Sequence, residues 1–107
     1  MITIENLRST RIKNPYDVRV DRSSILGNPF HMDGENTRDA VCDRFEAHFL
    51  KVLESSSGRA IMMKEELYRI SQIYHKHGKL RLFCWCAPKR CHAETIRKYL
   101  LGHLISE

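Results

Sequence analysis

Three of the chain's four cysteines fall within the run Cys84-Trp85-Cys86-Ala87-Pro88-Lys89-Arg90-Cys91-His92. Thiolates are both nucleophiles and soft metal ligands, so this run has three chemical readings. As a metal site, Cys84, Cys86, Cys91 and His92 have the residue types of a zinc set. The spacing is awkward, since alternate residues of a strand have Cα atoms about 6.6 Å apart, while zinc holds its sulfurs about 3.8 Å apart. A bend at Trp85 is then required, and no Cys-x-x-Cys pair elsewhere completes a cage. As a catalytic site, the nucleophile is Cys91, at a helix N-terminus beside Lys89 and Arg90, where cations and unpaired N–H groups lower a thiol to about 7 or below. Cys86 is its rival, with His92 as a base. The third reading is packing, because cysteine is among the most buried residue types. That reading suits Cys84 best, and it also covers the isolated Cys42.

A second motif complements the first. In Asp21-Arg22-Ser23-Ser24-Ile25-Leu26-Gly27-Asn28-Pro29-Phe30, Gly27 admits close backbone approach, and Asn28 offers a donor and an acceptor to a base or ribose. Arg19, Arg22 and Arg38 are suited to holding a phosphate or carboxylate in two-pronged fashion. Ser24, in the same loop, joins these as a ligand-binding candidate, as do Lys89 and Arg90 from the cysteine run.

The elements around these motifs follow from periodicity. Ile2 to Ile4 is β-prone, and Tyr16, Val18 and Val20 alternate with polar residues as in a half-buried strand. Residues 21 to 36 carry turn chemistry. A helix capped by Asn36 or Thr37 then places Val41, Phe45, Phe49, Val52 and Leu53 on one side. A second helix, from about Arg59 to His77, buries Met63, Leu67, Ile70 and Tyr74 and stops at Gly78. A strand over Leu80 to Cys86 ends at Pro88. The last helix, from about Cys91 to Ile105, turns Ile96, Leu100, His103 and Leu104 inward. The expected fold is a small single α/β domain over residues 1–107, with a short, mostly parallel sheet of about three strands packed by three helices. Its second and third strands are then parallel, which opens both motif loops on one sheet edge, where α/β ligands collect.

Composition limits the partners. Apolar residues make up 42% and charged residues 29%, which argues against disorder. No apolar stretch approaches the roughly 20 residues that span a bilayer, and no secretory signal is visible, so a cytoplasmic protein without a membrane partner is expected. The net charge is +5, with seven bases between Lys76 and Lys98 against the single acid Glu94. A basic field of this kind favours phosphate, nucleic acid or an acidic protein. The leading expectation is a binder of a nucleotide, nucleobase or related phosphate, with cysteine-based catalysis as an open extension. The alternatives are a basic nucleic-acid-binding module, with or without structural zinc, and a phage-type effector that inhibits a host protein. No cofactor is expected, zinc being the alternative.

Taken together, Arg22, Ser24, Leu26 to Phe30, Arg38, Phe45, Cys84 to Cys86, Pro88, Cys91 and His92 resemble the pattern of a small uncharacterised family of bacterial and bacteriophage proteins, classed as a domain of unknown function (DUF4326). The resemblance covers nearly the whole chain. Asp21, Phe83 and Ala93 stand where members of that family often carry glycine. It implies a shared site, and no particular chemistry.

Overall fold

The computed structural model describes residues 1–105. Strand β1 (Ile2–Asn6) is followed by β2 (Asp17–Arg19), α1 (Arg38–Glu54), α2 (Gly58–His77), β3 (Leu80–Cys84) and α3 (Ala93–His103). The strands form one sheet in the order β1-β3-β2, and both pairings are parallel. The expected α/β class and the helical crossover between the second and third strands are therefore present.

Side-chain alternation explains the layering. Ile2 lies opposite Leu80, and Ile4 and Val18 both lie opposite Leu82, so these apolar side chains share a face. Phe45 and Phe49 of α1, Met63, Leu67 and Ile70 of α2, and Ile96 and Leu100 of α3 pack with that face in one core. The α2 stop is as the sequence predicts. Gly78 takes φ 73°, where a Cβ is strained, and its N–H reaches the Tyr74 carbonyl.

Three boundaries and one cap differ from expectation, α1 itself starting directly after Thr37 as expected. Thr37 precedes α1, but its hydroxyl bonds the Gly34 carbonyl and the Asp33 N–H, and so makes no cap. Helix α2 begins one residue early, at Gly58, because Ser57 caps it through the Ala60 N–H. Strand β3 ends at Cys84, since beyond it the carbonyls of Trp85 and Ala87 accept from the Asn6 side chain instead of a strand. Helix α3 ends at His103, which is exposed and stacked on Tyr99; Ile105 turns inward in its place.

One ion pair fastens β2 to β3. Arg81 donates two hydrogen bonds to Asp17, at 2.7 and 2.9 Å, and the carboxylate also accepts from the N–H groups of Lys13 and Asn14. Burial pushes the Asp17 carboxyl up, but these donors, Arg81 foremost, outweigh it and hold it at about 2, below the ordinary 3.8. A carboxyl depressed in the folded state stabilises the fold above its ordinary pKa, and the contribution disappears as pH falls through the folded value. The acid limb of stability should therefore fall between 3.8 and about 2. In urea unfolding, Asp17→Asn should cost about 1–3 kcal/mol at neutral pH and flatten that limb, as expected for a charged hydrogen-bond acceptor removed from its donors.

Candidate functional site

Because the sheet is parallel, β1, β2 and β3 all end at one edge, and the segments leaving them meet there. Between the loop after β2, the N-terminal end of α1 and the cysteine loop lies an open cavity of about 320 Å³. The first loop contributes Asp21, Arg22, Asn28, Phe30 and Met32 to its wall. Helix α1 contributes Arg38, Val41 and Cys42, and the cysteine loop contributes Cys84, Trp85, Cys86, Arg90, Cys91 and His92. The volume lies at the lower end of the range for small-molecule sites.

Asp21 joins the loops. Its carboxylate accepts from Arg19, from the Ser23 hydroxyl and from the indole N–H of Trp85 at 2.8 Å. Burial pushes this carboxyl up, but the three donors outweigh it and keep it well below the usual carboxylate range. Asn6, at the end of β1, fixes the other side by donating to the carbonyls of Trp85 and Ala87, ahead of the cis Ala87–Pro88 peptide. Neither Asp21 nor Asn6 appears among the sequence-derived site residues. The available signal was position alone, Asn6 ending β1 and Asp21 standing two residues past β2.

The cations are differently engaged. Arg38 grips Glu35 through two bonds of 2.8 Å and donates to the Arg90 carbonyl. Its guanidinium also reaches the Cys86 sulfur; Glu35 first and Cys86 second strengthen its positive charge. Arg90 pairs with Asp39 and Asp43, and Lys89 with Glu35. Arg22 donates to the carbonyls of Asn28 and Phe30 and has no carboxylate partner among the described residues.

The sulfurs are arranged otherwise than expected. Cys91 is buried, and its Sγ lies 3.1 Å from that of Cys84. That contact and burial push the Cys91 thiol up, so it acts as the donor. The cations expected to activate it, Lys89 and Arg90, point away to the acids of α1 and the preceding turn. The easily ionised sulfur is Cys84. The Cys91 S–H bond, opposed by burial and helped by the N–H groups of Cys86 and Ala87, brings it down to about 6. His92 is buried, and its Nε2 bonds the Val20 carbonyl. Burial lowers its pKa, so the ring is neutral at pH 7, with Nε2–H as donor. The four proposed zinc ligands do not assemble. His92 is committed to Val20 and Cys86 lies by Arg38; among the described residues no three His, Cys, Asp or Glu side chains are grouped to hold a metal.

Of the proposed ligand-binding residues, Arg22, Asn28, Arg38 and Arg90 line the cavity together with Cys86, Cys91 and His92. The others do not. Arg19 turns to Asp21, and Ser24 is spent on the Leu26 N–H. Lys89 faces Glu35. At Gly27 the close approach is to the chain itself, as a Cβ there would lie 2.5 Å from the Asp21 carbonyl oxygen and 2.6 Å from the Arg22 Cα.

No described helix is long and apolar enough to cross a membrane. Comparison with curated proteins and with solved structures finds no match. A family model described as a domain of unknown function, DUF4326, matches residues 4–102, which take in both motif loops and nearly every element around them, and the chain belongs to that family.

Proposed function

We propose that the cavity binds a nucleotide, nucleobase or related small phosphate-bearing molecule, with the half-buried Cys86 as the thiol available for chemistry on it. The observation that carries this reading is the pairing, in a single cavity, of aromatic surface with a guanidinium that meets no acid among the described residues. Trp85 offers a flat apolar face for a base, Phe30, its own ring covered by Arg44, adds apolar wall, and among the described residues Arg22 pairs with no acid. Asn28 uses its carbonyl oxygen on the Phe30 N–H, which leaves its amide N–H₂ to donate to a base carbonyl or ring nitrogen. The nucleic-acid reading has less support. Arg81, Lys89 and Arg90, three of the seven bases of the basic segment, are already paired with acids.

Trp85 is the sole tryptophan and lies in the cavity wall, so its emission reports occupancy without a label. Titration with nucleoside monophosphates and free bases should give a saturable change. Arg22→Ala should weaken the phosphate-bearing ligands by roughly 10- to 100-fold, the value of a charged hydrogen bond, and leave free bases nearly unaffected. A flat response to all of them rejects the reading.

A further inference from the structure

We propose that Cys84 and Cys91 form a redox-active dithiol in the cavity wall, which reduces a low-molecular-weight disulfide and closes into an intramolecular disulfide. This site is separate from the ligand reading and needs only that a small disulfide enters the cavity. The two sulfurs lie 3.1 Å apart, and both residues line the cavity. Cys84 is the last residue of β3 and Cys91 stands two residues before α3, so rigid elements hold them together. Bond formation requires the sulfurs to approach by about 1 Å.

The arrangement divides the labour. Cys84 accepts the Cys91 S–H and the N–H groups of Cys86 and Ala87, which favours its thiolate at neutral pH. That thiolate attacks one sulfur of the disulfide RS–SR. A Cys84–SR bond forms, the S–S bond breaks, and RS⁻ leaves. Cys91 was kept protonated chiefly by its bond to the Cys84 thiolate, and the mixed disulfide removes that acceptor charge. Cys91 gives its proton to the departing thiolate and attacks the Cys84 sulfur, expelling the second RS⁻. Two electrons pass from the protein to RS–SR, which ends as one thiol and one thiolate, the thiolate taking its proton from water. Exchange depends on the thiolate, so it should be near its plateau by pH 7, whereas a free cysteine titrates near about 8.5.

The test uses the full reduced chain with glutathione disulfide as probe, followed by alkylation, trypsin and mass spectrometry. Cleavage after Arg81, Lys89, Arg90 and Arg97 separates peptides 82–89 and 91–97. The expected product is these two joined, two hydrogens lighter than their sum, with fragmentation placing the link on Cys84. The link should survive Cys86→Ser. In Cys91→Ser it should be replaced by glutathione retained on Cys84. A link on Cys86, or four thiols still free after oxidation, overturns the proposal. The wild-type peptide map decides the matter even if a variant fails to fold, and it does so whether or not nucleotides bind.

Discussion

Gly27→Ala is expected to destabilise the protein by about 1–3 kcal/mol, the usual cost of forcing atoms into a filled space, and to abolish ligand-dependent Trp85 emission even where the chain remains folded. The added Cβ would meet backbone at 2.5 and 2.6 Å, and backbone cannot swing aside as a side chain can. The turn formed by the Ser24 N–H on the Asp21 carbonyl and the Gly27 N–H on the Ser24 carbonyl must open. Asp21 and Arg22 then move, and with them the acceptor of the Trp85 indole and the guanidinium held over the Asn28 and Phe30 carbonyls. Gly102→Ala provides the contrast. A Cβ there meets nothing within 4 Å, and replacing a helical glycine gains up to about 1 kcal/mol. Thermal unfolding of both variants, with Trp85 emission recorded alongside, checks the claim. Equal melting temperatures for the two would refute it.

Phe49→Ala is expected to be the most damaging single change in the core, costing about 3–5 kcal/mol and lowering Tm by roughly 12 °C or more. The Phe49 side chain is fully buried and touches two other rings, Phe45 of the same helix and Tyr99 of α3, with centroids 5.4 and 5.5 Å away. Truncation leaves a void between α1 and α3. Phe45 of the same helix packs edge-on against His92, so loosening α1 should also disturb the cavity wall. Phe49→Leu fills much of the space and should recover more than half of the loss. Differential scanning calorimetry of both variants measures it, and a fall in Tm of only a few degrees for the alanine variant would place the core elsewhere.

The two α1 and α2 stripes were legible in the sequence because apolar residues at helical spacing can share only one face. The meeting of the motif loops was also legible, since parallel strands joined by a helical crossover must end on the same edge. Cys91 misled for a definite reason. Adjacent Lys89 and Arg90 suggest activation, but their partners Glu35, Asp39 and Asp43 lie about fifty residues away in the chain and leave no local trace. The same holds for the S–H donated to Cys84, which depends on where the loop folds back. Gly27 was recognised as a place of close approach, but whether ligand or backbone approaches is decided by the turn at Asp21. His103 fits the α3 stripe by spacing, yet the Leu104 and Ile105 N–H groups both go to the Leu100 carbonyl, and that wider final closure presents Ile105 to the core instead.

The strand order also bears on how the chain acquires its shape during synthesis. Strands β1 and β2 each pair with β3 and not with one another. On a ribosome, both therefore emerge without a ladder partner and stay so until residues 80–84 follow, directly behind α1 and α2. Helices first and sheet last is the sequence of events this topology imposes, and the loops that build the cavity can take their final places only when the last strand slides between the other two.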